Sequence, residues 1–328
     1  MSIFQTGLDP LRRNKIVPIF YTINNDYAPY VAVSIHALTR YLNPERYYRI
    51  IILHDGLSLA NRIKLRNLVT KNCAIQFKKI SNSIHLKIIA KYASSKRKGA
   101  VDFFSAAVYY YRFFIPRLFP IYDKCVYIDS DTILRDDIGE LFDTDLGDKV
   151  AGAAPELVMR TVPEFRRYAD RAVNVPHKNY VNTGVIVMDL KKMRKMHFIS
   201  AIVEMINQYD ADLLCPDQDY FNVLLKGKIK LLSRDWNTGP QEKLTGKTKL
   251  IHYYLYKKPW HYKDVAHGEY FWDAAKGTGF LGELKRQQEA FGKKERKADE
   301  AKIEFFIKKA AKLSKTKEPL IKLNKGDG

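Results

Sequence analysis

The segment Cys125-Val126-Tyr127-Ile128-Asp129-Ser130-Asp131-Thr132 begins as a buried strand and ends in two carboxylates. Val126, Tyr127 and Ile128 are strong strand formers with no charge among them. Asp129 and Asp131 stand at i and i+2, and in extended backbone that spacing puts both side chains on one face, within reach of a single cation. A hard divalent cation such as Mg²⁺ or Mn²⁺ takes one or two carboxylates and completes its shell with water and phosphate oxygens. An open α/β sheet binds its ligand at the carboxyl ends of its strands, which is where this pair lies. Taken alone, Asp-x-Asp also reads as a polar turn closing a strand.

Working outward, the upstream sequence supplies a sheet for this strand to join. Ile16 to Thr22 reads as a first strand, and Pro18 within it hints at an edge position. Asn24-Asn25-Asp26 is a turn that can cap the next helix. Val31, Ile35, Leu38 and Leu42 then recur at helical spacing over Ala28 to Leu42. Tyr48 to His54 is a second strand, Leu57 to Val69 a second helix and Ala74 to Ile80 a third strand. This β-α-β-α-β order implies a parallel, doubly wound sheet with helices on both faces. Ser81 to Gly99 is a polar, basic connection, and Ala107 to Ile115 a helix in an aromatic-rich stretch. Downstream, strands are expected over Lys149 to Pro155, Val181 to Leu190, Ile229 to Leu232 and Lys249 to Tyr253, and helices over Phe198 to Tyr209 and Asp217 to Leu225.

The 328 residues are 46% hydrophobic, enough for one large domain or a domain with an appendage. No apolar run approaches the ~20 residues of a membrane span, and Met1 to Lys15 has no apolar core of a secretory signal. Cys73, Cys125 and Cys215 are odd in number and far apart, which fits a reduced, cytoplasmic protein. The formal net charge of +20 favours anionic partners: nucleic acid, nucleotide phosphates or an anionic membrane. A nucleic-acid-binding protein would account for the charge, but the sequence carries no DNA- or RNA-binding motif and such a role leaves the paired aspartates unexplained.

Two further clusters carry chemistry. His252 follows an apolar strand, and its imidazole can complete a metal shell with Asp129 and Asp131, although a lone histidine in such a place is more often structural. Lys258, just beyond it, is a compact positive charge suited to phosphate, and Pro259-Trp260 stiffens its loop. Asp217-Gln218-Asp219 stands at a helix start, where it can serve as a cap or, with two carboxylates and an amide, lie beside a sugar ring.

Between Lys15 and Trp272 these residues resemble the glycosyltransferase family 8 proteins, retaining, metal-dependent enzymes of GT-A fold that include bacterial lipo-oligosaccharide galactosyltransferases and glucosyltransferases. The resemblance runs in order through Asn24-Asn25-Asp26-Tyr27-Ala28, Ile52-Leu53-His54-Asp55, Tyr111-Arg112, Val126 to Asp131, Asp143-Thr144-Asp145-Leu146, Asn182-Thr183-Gly184-Val185, Asp217-Gln218-Asp219, and His252 with Lys258-Pro259-Trp260. It implies that Asp129, Asp131 and His252 bind Mn²⁺ (or Mg²⁺), which holds the diphosphate of UDP-glucose or UDP-galactose. Lys258 would contact that diphosphate and stabilise the leaving UDP. Thr22, Asn24 and Tyr27 would hold the uridine, while Arg112, Ser130, Asn182, Thr183, Asp217 and Gln218 would surround the donor sugar. Gln218 lies where the family places its candidate for the β face of the sugar, and Asp217 is the local carboxylate to test for a double displacement. The acceptor would be a glycan or glycolipid such as lipopolysaccharide. Three departures stand out: Asn24 where the family often has Asp, Glu156 where related enzymes often have Asp, and Leu255 where a glycine often follows the histidine by three.

From Gly282 onward the chain turns lysine-rich, and a boundary is expected there: residues 1–281 as the catalytic domain, 282–328 as a basic helical tail. Ile303, Phe306, Ile307 and Ala310 form an apolar stripe among Lys302, Lys308, Lys309 and Lys312. Such a helix suits the anionic inner face of the cell membrane; the alternatives are a helix docked on its own domain or a disordered tail. A sugar-nucleotide binder without activity remains open at this point, as an alternative to a hexosyltransferase.

Overall fold

A computed structural model describes residues 16–80, 108–208 and 213–321. The expected connection Ser81–Gly99, the N-terminal stretch and the ends of the helices expected to reach Ala107 and Tyr209 lie outside these residues. The strands are β1 (Ile16–Ile23), β2 (Tyr47–His54), β3 (Cys73–Lys79), β4 (Lys124–Ile128), β5 (Thr132–Leu134), β6 (Ala151–Pro155), β7 (Val181–Asp189), β8 (Ile229–Leu231) and β9 (Leu250–His252). The centre is a seven-stranded sheet in the order β3-β2-β1-β4-β7-β6-β8. β1, β2, β3 and β4 pair in parallel, as the alternation of strands and helices dictates. β7 runs against both β4 and β6, and β8 returns to parallel pairing with β6. The architecture is α/β with a mostly parallel sheet.

The apolar runs are continuous because both faces of the sheet are covered, and the two-residue period of a strand sorts each run between two cores. Val17, Ile19, Tyr21 and Ile23 of β1 join one core, where the Ala28–Thr39 helix brings Val31, Ile35 and Leu38. Phe20 joins the other, with Tyr127 of β4, Ile186 and Met188 of β7, and Ile202 and Phe221 from the helices Phe198–Gln208 and Pro216–Leu224. β4 divides in the same way, Val126 and Ile128 to the first core and Cys125 and Tyr127 to the second.

Pro18 does not mark an edge. β1 is interior, flanked by β2 and β4, but its ladder to β4 begins only at Ile19. A residue without an N–H therefore sits where the strand has its β2 partner alone. A second, two-stranded sheet joins β5 to β9, with Thr132 opposite His252. This small sheet brings the histidine to the end of β4.

Packing continues unbroken where the lysine-rich segment begins. The Leu281–Ala290 helix buries Leu284 in the first core. Its Gln288 donates to the carbonyls of Pro259, at 2.7 Å, and Tyr262, at 3.1 Å. The Lys293–Leu313 helix lays Phe306, Ala310 and Leu313 on the second core, and Ile321 is buried beyond it. Of the expected stripe, Ile303 and Ile307 stay exposed, as does Phe305. No described helix is long and apolar enough to cross a membrane.

Candidate active site and metal centre

The site forms where the end of β4 meets the start of β7. Because β7 is antiparallel, Val185 pairs with Ile128, and Asp129 N–H donates to Gly184 O at 2.7 Å. The chain turns at Ser130 and Asp131 before entering β5. The paired aspartates thus lie on a turn and not on extended backbone as their spacing suggested. The turn is fastened by Thr132 Oγ1, which donates to Asp129 O at 2.8 Å, and by Tyr253 N–H, which donates to Asp131 O at 2.9 Å. Thr132 also bonds Ser34 Oγ (2.9 Å), which bonds Tyr21 OH (3.0 Å), so the turn is tied through the first core to β1.

One ligand atom each from Asp129, Asp131 and His252 falls within 4.8 Å of the others. His252 Nε2 lies 3.1 Å from Asp131 Oδ1 and 3.8 Å from Asp129 Oδ2, while Nδ1 lies 2.9 Å from Asn237 Oδ1. Two hard oxygens and one imidazole nitrogen suit Mn²⁺ or Mg²⁺. The residues present therefore fit such an ion.

Gly184 makes the convergence sterically feasible. A Cβ there would stand 2.3 Å from His252 Cε1 and 2.6 Å from Asp129 Oδ2.

Two cations flank the aspartates. Lys258 Nζ donates to Asp131 Oδ2 and to Tyr253 O. Burial favours the neutral acid at Asp131, but Lys258 and His252 outweigh it and hold the carboxyl well below the usual range. Arg112 is almost wholly buried, with Nη2 3.3 Å from Asp129 Oδ1 and 3.7 Å from Asp217 Oδ2. Its Nη1 donates to Thr183 O, and its guanidinium lies over the Tyr127 ring, 4.4 Å from the centroid. Burial works against the charge of Arg112, yet Asp129, Tyr127 and Asp217 raise its pKa further. Tyr127 OH donates to Asp129 Oδ1 at 2.6 Å and meets Thr22 Oγ1 at 3.0 Å, linking the end of β1 to the metal centre.

The remaining predicted residues join this network. Gln218 is pinned by Thr183 N–H, which donates to its Oε1 at 3.0 Å. Burial pushes Asp217 up, Arg112 opposing and Asp129 adding. Ser130 is buried in the turn between the two aspartates. Asn182 Nδ2 donates to Glu156 Oε2 at 2.5 Å. Asn24 caps the next turn, its Oδ1 accepting from Tyr27 N–H at 3.1 Å. Tyr27 is half-buried; burial raises its pKa, Lys258 lowers it, and Asp131 raises it, with a smaller contribution from Asp129. Leu255, where the family often has glycine, has φ +67°, so a leucine holds left-handed backbone here.

The third member of the Asp-Gln-Asp cluster is separate. Asp219 is fully buried and accepts from Tyr180 OH and Tyr168 OH, both at 2.7 Å. Burial pushes its carboxyl up to about 7 despite these two donors. It anchors the start of the helix that carries Asp217 and Gln218. Sequence reasoning missed Asn237 entirely. It follows Trp236 in a short turn, and only the bridge from Thr238 to Ile251 of β9, with His252 N–H donating to Thr238 O at 2.9 Å, brings it to face His252.

The family model for glycosyl transferase family 8 matches residues 18–264. The chain belongs to glycosyl transferase family 8. Its class of reaction is glycosyl transfer. The lipopolysaccharide 1,2-glucosyltransferase of Escherichia coli K12 is 30% identical over 173 residues, 48% of this chain and 50% of that protein. General stress protein A of Bacillus subtilis 168 is 24% identical over 232 residues, 69% of this chain and 75% of the relative. Among solved structures, the galactosyltransferase LgtC, in complex with donor and acceptor sugar analogs, superposes with a TM-score of 0.65 at 24% identity, covering 81% of this chain and 99% of LgtC. The apo bifunctional glycosyltransferase WbbM gives a TM-score of 0.69 at 23% identity, covering 86% of this chain and 53% of WbbM. These two likenesses establish the shared GT-A fold.

Proposed function

We propose that the enzyme transfers glucose or galactose, with retention, from a UDP-sugar to a glycan or glycolipid acceptor such as lipopolysaccharide, and that it requires Mn²⁺. The observation that carries this reading is the convergence of Asp129, Asp131 and His252 beside Lys258. The bound ion would supply Lewis acidity to the departing diphosphate. Lys258 donates to the same phosphates and so stabilises charge that grows as the glycosidic bond breaks. Thr22, Asn24 and Tyr27, at the end of β1, hold uridine. Asn24 keeps a hydrogen-bonding group there without the charge of an aspartate.

Arg112, Ser130, Asn182, Thr183, Asp217 and Gln218 enclose the hexose. Gln218 is an amide and a poor nucleophile, and its oxygen is already engaged by Thr183 N–H. Asp219 is sealed beneath two tyrosines. Asp217 is paired with Arg112. These surroundings favour attack by the acceptor hydroxyl on the face that UDP leaves, with Asp217 the carboxylate to test for a covalent route. Glu156, on the acceptor side, is held by Asn182 and caps the Leu157–Thr161 helix through Val158 N–H.

The exposed Ile303 and Ile307, one turn apart on a helix that also carries Lys302, Lys308 and Lys312, support reversible attachment to the anionic cytoplasmic face of the membrane.

The test is a screen of UDP-hexoses with detection of released UDP, in Mn²⁺ and in excess chelator. Turnover of UDP-glucose or UDP-galactose that is lost in chelator and in Asp131→Ala is the expected result. Undiminished turnover in both would refute the metal assignment, and a β-linked first product by NMR would refute retention.

A further inference from the structure

We infer that a buried chain of side chains, Glu156–Asn182–Asn237–His252, fixes which ring nitrogen of His252 carries the proton, and that Asn237 is the positioning residue of the metal centre. The inference rests on the metal role proposed above. All four residues are buried, with Asn237 fully so. The polarity of the chain is set at Asn182. Gly184 N–H lies 2.9 Å from Asn182 Oδ1, and a backbone N–H can only donate. The amide oxygen of Asn182 must therefore face Gly184, which turns Nδ2 to Glu156 Oε2, where it finds an acceptor.

Asn237 meets the same Asn182 oxygen at 2.9 Å, so it presents Nδ2 there. Its own Oδ1 then faces His252 Nδ1 at 2.9 Å. That oxygen only accepts, so Nδ1 bears a proton. Nε2, on the side of Asp131 and Asp129, is left as the nitrogen that can offer a lone pair to a metal. Reversing any one amide would set acceptor against acceptor or donor against donor in a buried site, which is costly. One backbone N–H at the start of β7 thus determines, through two amides, the nitrogen that serves the ion.

The polarity can be read without activity or metal. In metal-free wild-type protein, ¹⁵N-edited NMR of the imidazoles should show a proton on His252 Nδ1. Asn237→Leu removes the acceptor at similar size. It should lose that signal and bind Mn²⁺ roughly 10- to 100-fold more weakly by calorimetry, the usual cost of losing such a partner. Asn237→Asp restores an oxygen facing Nδ1 but sets its second oxygen against Asn182 Oδ1, so it should recover the Nδ1 signal and only part of the affinity, a split that a purely space-filling role would not produce. An unprotonated Nδ1 in the wild type would overturn the inference, as would a folded Asn237→Leu protein binding Mn²⁺ as tightly as wild type. A wild type that shows the Nδ1 proton but binds no Mn²⁺ would uphold the chain's polarity and remove the metal role instead.

Discussion

Gly184→Ala is a one-carbon test of the site. The new Cβ would stand 2.3 Å from His252 Cε1, 2.6 Å from Asp129 Oδ2 and 3.0 Å from Asn182 Oδ1. Ordinary van der Waals contact begins near 3.4 Å, so the imidazole or β7 must yield by about 1 Å. The φ of Gly184 is not in the left-handed region, so the effect is steric and not one of backbone strain. His252 cannot retreat freely, because Nδ1 is held by Asn237 and the ring is packed against Tyr254. Overpacking of this kind costs about 1–3 kcal/mol of stability, and a misplacement of ~1 Å in a catalytic constellation costs on the order of 100-fold in rate. Gly152→Ala, in β6, is the control, because its Cβ would meet only the side-chain ends of Leu146 and Leu232, at 3.1 Å. Mn²⁺ titration, UDP release and urea denaturation of both variants make the comparison. If Gly184→Ala keeps wild-type Mn²⁺ affinity and turnover, the close approach of β7 to the ligands is not what shapes the centre.

Other outcomes follow from single features. Leu255→Gly should stabilise the fold by about 0.5–1 kcal/mol, since a non-glycine residue in left-handed backbone costs about 1–2 kcal/mol and glycine's chain entropy returns part of it. A lower urea midpoint would count against this. Asp219 has its native pKa raised to about 7, so between about pH 4 and 7 the native state holds a proton that the unfolded chain has released. Its contribution to stability is therefore present below about pH 4 and lost as pH rises through about 7. Asp219→Asn should flatten that decline, which runs at up to about 1.4 kcal/mol for each pH unit crossed; denaturation midpoints at pH 5 and pH 8 that fall in parallel for both proteins would disprove it. UDP should bind better than GDP or ADP in calorimetry with Mn²⁺, and equal affinities would discount Thr22, Asn24 and Tyr27 as a uridine site. Ile303→Asp with Ile307→Asp should reduce sedimentation with anionic vesicles at low salt; unchanged sedimentation would locate membrane binding elsewhere.

Much of this molecule was legible in the sequence because both faces of the sheet are covered. Uninterrupted apolar runs such as Phe20-Tyr21 and Ile50 to Leu53 could only be buried strands, and the alternation of helix and strand announced parallel pairing for β1 to β4. The reversal at β7 had no local signature, since direction is set by how the chain returns and not by composition. Pro18 misled because an interior strand can tolerate proline where one of its ladders has not begun. At the site, charged residues declared themselves, whereas Asn237 and the steric demand on Gly184 depend on which strands become neighbours.

The two hydrogen bonds from Gln288 to the carbonyls of Pro259 and Tyr262 bear on how this enzyme can be shortened. The lysine-rich character of the chain past Gly282 invites removal of everything beyond it to obtain a more tractable fragment. Such a fragment would lose the strut beneath the loop that carries Lys258, together with Leu284, Ala310 and Ile321 from two cores. A fragment meant to preserve donor chemistry has to run past Ile321, and tractability is better sought by replacing the exposed apolar residues of the last long helix one at a time.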